Sequence, residues 1–226
     1  MKAKNYGYKN TARIVGILYI IGTVAGILSV PFLKVRNEPD YFTKIAENPN
    51  SLVVGAILTL IMGFALAMIP AFMFPILKKH NEILGIGYII FRGALETCGY
   101  IISVVCYLAL SSLNATEASA GAALNAIADS SVNAFVFGMG ALIFYTALYK
   151  YSLIPRWLSG FGIIAILLHI VSGVLVLFGL QENFDTGSLV MNLPIAVQEM
   201  VMAVWLIIKG FNCENKPEEE QKNDNK

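Results

Sequence analysis

Apolar residues along this chain fall into six runs, at residues 14–33, 52–77, 83–110, 132–149, 157–180 and 189–208. At 1.5 Å per residue, about 20 apolar residues cross a hydrocarbon core of about 30 Å. The runs meet or approach that length, which is the signature of membrane helices. The pattern therefore predicts an all-α fold, a polytopic six-helix transmembrane bundle occupying residues 14–210.

The polar breaks carry further signals. Residues 1–13 are basic, with Lys2, Lys4, Lys9 and Arg13. A basic start before an apolar run also fits a secretory signal. This run is longer than such a core, and no clean A-x-A site follows it, so a retained first helix is expected. Gly22 and Gly26 form a small-xxx-small pair that allows close helix contact, although glycine is also simply tolerated in membrane helices. Pro39, Pro49 and Asn50 mark the first loop as turns. Pro70 and Pro75 predict a kink or an early end in the second run. Within the third loop, the alanine-rich stretch 115–128 suits a short surface helix. Pro155 sits where a helix starts well. Residues 211–226 form a charged tail, predicted to be disordered.

Orientation follows from the Lys and Arg residues outside the runs. One set of segments carries Lys2, Lys4, Lys9, Arg13, Lys78, Lys79, Lys150, Arg156, Lys209, Lys216, Lys222 and Lys226; the alternate loops carry only Lys34, Arg36 and Lys44. The positive-inside rule then places both termini in the cytoplasm of a multi-pass cell-membrane protein. Tyr6, Tyr8, Tyr145, Tyr149, Tyr151 and Trp157 fall near the same boundary, as an aromatic belt does. No internal repeat is evident.

Composition sharpens the picture in two ways. The chain is 57% hydrophobic and 14% charged, with a mean hydropathy of +0.67. A soluble domain this apolar would expose large greasy patches. The net charge of +1 leaves no nucleic-acid footprint. Cys98, Cys106 and Cys213 lack CxxC spacing, so a disulfide framework is not expected. No HExxH, GxSxG, P-loop or dinucleotide-binding pattern is present. The Cys and His residues are too few for a zinc site, and one membrane His does not supply two haem ligands. No metal or cofactor is expected.

The third run holds Arg92 and Glu96, and ionisable groups at that depth are rare and tend to be functional. Gly85, Tyr88, Arg92, Glu96, Gly99, Ser103 and Cys106 share one face at helical spacing, opposite Ile90, Leu95, Ile101 and Leu108. Arg92 and Glu96, four apart, are expected to pair, because an unpaired charge in hydrocarbon costs at least a few kcal/mol. By helical rise, Glu96 lies about 20 Å and His169 about 18 Å from the cytoplasmic ends of their helices, and Glu199 is about halfway along the sixth. Glu199 shares its face with Asn192 and Ala203. His169 shares its face with Gly162, Ala165, Ser172 and Gly173. The candidate polar centre is therefore Arg92, Glu96, Glu199, His169, Tyr88, Ser103 and Asn192. Its formal charges leave one negative charge over. Burial must resolve that by protonating a carboxyl, charging His169 or binding a cation. A purely structural hydrogen-bonded network is the competing account.

Several segments resemble a family of bacterial six-helix membrane proteins, the domain of unknown function 4386. The resemblance rests on ARIVGILYIIGTVAGI (12–27), FRGALE (91–96), PRWLSGFGIIA (155–165) and LPIAVQEMVMAVWLIIKG (193–210). It implies that Arg92, Glu96, Pro155, Arg156, Glu199, Trp205 and Lys209 occupy the family's characteristic positions, and it implies no activity. His169 lies outside those motifs.

Two functions from different classes follow. One is a small transporter whose midplane carboxylates carry a proton or bind a cationic or polar solute. The other is an assembly, regulatory or stress-response membrane protein with a structural centre. An enzyme ranks third, since no nucleophile–base pair is evident. The expected partners are the lipid bilayer and a small solute or proton, with a homo-oligomer left open. The topology predicts that, in a cysteine-free background, a cysteine at Glu117 or Asp185 reacts with an impermeant reagent from outside; labelling only from the cytoplasmic face contradicts it.

Overall fold

The computed structural model describes residues 2–113, 117–128, 132–183 and 185–212. Helix α1 runs Lys2–Leu33 and is followed by a 3-10 turn, Lys34–Asn37, and the short α2, Tyr41–Glu47. Helix α3 is Pro49–Leu77. The third crossing is continuous but composite: α4, Glu82–Tyr88, then a π-helical segment, Ile89–Leu95, then α5, Glu96–Ser112. A short α6, Ala118–Ala128, precedes α7, Val132–Lys150, α8, Arg156–Leu177, and α9, Thr186–Ile208. Six of these crossings are long and apolar enough to span a membrane.

Each crossing packs against its neighbours in sequence, and α9 closes back on α1. The six form a ring in which the third crossing faces the sixth across the interior. Ile17, Ile57, Phe64, Val105, Ile164, Val204 and other large apolar side chains point outward, as lipid contact requires. The interior is aromatic: Tyr19, Tyr88, Phe144 and Tyr145 are fully buried, with Phe144 stacked on Tyr88 at 4.6 Å between ring centres.

Polar punctuation sets the ends. Asn81 caps α4 by accepting from the Leu84 N–H at 3.0 Å. Asp185 caps α9 by accepting from Ser188 at 2.6 Å. After α8 and α9 the chain turns at Gly179 and Gly210, both with positive φ, the conformation glycine adopts without steric cost.

Of the kink or early end expected in the second run, the early end does not occur: Pro70 and Pro75 both lie inside α3, which continues to Leu77. Each proline forfeits a backbone bond; at Pro70 packing offsets it, since Pro70 is buried with Gly93 of the π segment against its ring, whereas Pro75 is exposed. The tail also does not begin at 211. Phe211 is buried in the core, and Asn212 donates to the Leu153 and Ser152 carbonyls at 2.8 and 3.1 Å. The remainder of the tail, 213–226, lies outside the described residues.

Glycine sets how closely the ring can draw in. Leu66 and Met62 of α3 fill the notches at Gly22 and Gly26, so this pair receives side chains of the next helix. At Gly16 the neighbour is backbone: an added Cβ would lie 2.6 Å from the Ala203 carbonyl oxygen. Gly16→Ala should therefore cost about 1–3 kcal/mol as overpacking. Gly160→Ala, whose Cβ would meet only Tyr149 at 3.7 Å, should change stability by less than about 0.5 kcal/mol. Equal melting temperatures for the two variants in detergent would contradict this packing.

Candidate functional site

The centre is built on the π-helical segment. A π turn carries an extra residue and is common at functional sites. Here it is held open from both sides: Gly93 rests on Pro70 of α3, and Gly140 of α7 is close enough that a Cβ on it would lie 3.1 Å from the Arg92 backbone nitrogen. The widened turn presents Arg92 to the interior, where the residue is 2% exposed.

Arg92 uses two separate nitrogens. Nη1 donates to both Glu96 oxygens at 3.0 Å. Nη2 donates to Glu199 Oε1 of α9 at 3.3 Å. One guanidinium therefore joins two carboxylates from opposite sides of the ring. Tyr100 donates to Glu96 Oε1 at 2.8 Å, and Thr23 of α1 donates to Glu199 Oε2 at 3.1 Å. The centre of the Phe137 ring of α7 lies 4.6 Å from the guanidinium carbon, and that of Tyr19 at 6.0 Å, which adds cation–π attraction. Glu96 is fully buried. The Glu199 side chain keeps 11% exposure, which makes it the least enclosed of the three.

The other candidate residues are distributed differently. Tyr88 lies beside the centre and pairs with the Tyr19 hydroxyl at 3.4 Å, without a bond to Arg92. Ser103 is half-buried two turns beyond Glu96 and joins no contact with the centre among the described residues. His169 and Asn192 form a group of their own. His169 Nδ1 meets Asn192 Oδ1 at 2.6 Å, and Asn192 Nδ2 donates to Ser188 Oγ at 3.2 Å. Phe137 connects the two groups, with its face toward Arg92 and its ring perpendicular to that of His169 at 4.8 Å between centres.

Thr23, Tyr100 and Phe137 were not among the residues singled out from sequence. Tyr100 had a signal, because it follows Glu96 by four positions, the helical contact spacing. Thr23 is the hydroxyl at matching depth in α1. Phe137 carried no signal, since nothing local separates it from a lipid-facing phenylalanine.

Fold and site define a multi-pass helical membrane protein with a buried charge centre. The family model described as domain of unknown function (DUF4386) matches residues 14–210. The chain belongs to that family. No curated protein and no solved structure matches it.

The arrangement makes the arginine harder to replace than either acid. A carboxyl can shed its charge by binding a proton, whereas a guanidinium holds its charge throughout the accessible pH range. Removing Arg92 strands two buried carboxylates, a change of the kind that costs about 3–5 kcal/mol. Arg92→Ala should lower yield and melting temperature well below those of Glu96→Gln; comparable values for the two would contradict the geometry.

Proposed function

We propose that the chain sits in the cell membrane with both termini and the two basic turns in the cytoplasm, and that its centre binds and releases one proton. Glu199 is the proton-binding group, and Arg92–Glu96 is the fixed ion pair. Proton binding of this kind, coupled to a helix movement, suits a small proton-linked transporter.

The observation that carries this reading is the unequal surroundings of the two carboxylates. Both Glu96 oxygens face Arg92 Nη1, and one also faces Tyr100. A guanidinium donates only, so the surroundings of both Glu96 oxygens favour the ionised form. Glu199 spends one oxygen on Arg92 and turns the other to the Thr23 hydroxyl. A hydroxyl both donates and accepts. Thr23 can donate to the carboxylate, or rotate and accept from the protonated acid, with no change in position. The surplus negative charge of an Arg–Glu–Glu set supplies the drive, because uncompensated charge is costly where water is excluded.

The near-complete burial of Arg92 and Glu96 favours a second reading, in which the centre only ties the helices together. Infrared difference spectra between about pH 5 and pH 9 separate the two. Proton binding predicts a protonated-carboxyl band in the native protein that is missing in Glu199→Gln. No carboxyl change in the native protein would leave the structural reading.

A further inference from the structure

One end of the bundle gathers cations. Lys9, Lys78, Lys79, Lys150, Arg156 and Lys209 are all exposed there. Direct contacts tie together the segments that carry them. Lys79 donates to the Tyr8 hydroxyl of α1 and lies 4.4 Å from the centre of that ring. The His80 ring stacks on Tyr151 at 4.6 Å between centres, and Lys150 lies 5.5 Å from the centre of the same Tyr151 ring. Arg156 Nε donates to Ser152 Oγ at 3.3 Å. The Ser152 carbonyl accepts from Asn212 at 3.1 Å, which brings the end of α9 to the same turn.

Charge balance sets this end apart. Within residues 8–13, 78–82, 149–157 and 209–212 the one acid is Glu82, paired with Lys78 at 2.9 Å. The opposite end carries Glu38, Asp40, Glu47, Glu182 and Asp185. There Lys44 bonds both Glu38 and Asp40, and Arg36 is buried. The first end therefore holds a surplus of exposed positive charge among the described residues. Like charges gathered this way repel one another, and a bound anion relieves them.

The neighbours of these cations identify the class of anion. Trp157, next to Arg156, is 61% exposed; Ile208, next to Lys209, is 64% exposed; Ile83, just past the basic turn, is 80% exposed. Large apolar groups thus stand outward beside the charges on three crossings. A small soluble anion gains nothing from them. A phospholipid offers a charged headgroup and an apolar chain in one molecule, at the depth where crossings end and aromatic anchors sit.

We propose that this rim is a binding surface for an anionic phospholipid. Lys79, Lys150 and Arg156 hold the headgroup phosphate, and the acyl chains lie along Ile83 and Trp157. Tyr8 and Tyr151 are positioning residues, whose rings lie near the two ammonium groups. The proposal is independent of proton binding by Glu199.

Thermal melting of the full chain in detergent, with phosphatidylglycerol or phosphatidylcholine titrated into the micelles, tests this surface. Phosphatidylglycerol should raise the melting temperature and phosphatidylcholine should not. In the triple variant Lys79→Gln, Lys150→Gln, Arg156→Gln, the phosphatidylglycerol needed for half the rise should increase about tenfold or more. Lys34→Gln, at the opposite end, should leave it unchanged. Where the triple variant does not fold, Lys150→Gln alone gives the same reading, with an expected increase of about threefold. Equal rises with the two lipids, or variants that respond like the native protein, overturn the proposal. A rise with polyglutamate that matches the one with phosphatidylglycerol also overturns it, in favour of an acidic protein partner.

Discussion

One guanidinium held between two carboxylates, away from water, is the constraint on which the rest of this structure depends. Arg92 reaches Glu96 on its own crossing and Glu199 on the opposite one. Thr23 and Phe137 bring α1 and α7 into the same contact set. Four of the six crossings therefore meet at one charge. An ion pair in low dielectric adds less net stability than its Coulomb attraction suggests, because both partners have lost their water. What it does add is register. Only one rotation and depth of each helix places these groups within bonding distance, and any other strands a charge in hydrocarbon. The glycines at 16, 22, 26 and 140 serve the same geometry by letting backbones and side chains approach closely enough for the arginine to span the ring.

Much of this was legible in the sequence, for identifiable reasons. The crossings follow from run length, and the Arg92–Glu96 pair follows from i,i+4 spacing. That Glu199 meets them follows from matching depth and the need to compensate charge. The π-helical segment was not legible. Its extra residue per turn is held by Gly140 on another helix and by Pro70 on a third, and no local pattern encodes such contacts. That α3 runs on past Pro70 was not legible for a related reason, since the cost of a missing backbone bond is local while the packing that offsets it at Pro70 is tertiary. His169 had the right depth but not the right partners. Its depth gave no hint that Phe137 stands between it and Arg92, or that Asn192 turns away from Glu199 to face the histidine.

The two acids, alike in chemistry and depth, are separated by what their second oxygens face. Both Glu96 oxygens face the guanidinium, with the Tyr100 hydroxyl on one of them. Glu199 is offered a hydroxyl that suits either protonation state. On the proposed reading this difference assigns the charge surplus, with Arg92 and Glu96 as fixed charges and Glu199 as the variable one. The proposed reading is compatible with the enclosure of the centre, because a proton needs no solute-sized cavity.

Carboxyl carbon NMR on protein labelled at glutamate tests this assignment most directly. Near neutral pH, the account predicts one membrane glutamate in the protonated position, identified as Glu199 by its loss in Glu199→Gln. In Glu96→Gln, where the surplus charge is gone, the Glu199 signal should move to the ionised position. Two ionised carboxylates in the native protein, or a Glu199 signal indifferent to Glu96→Gln, would contradict the account.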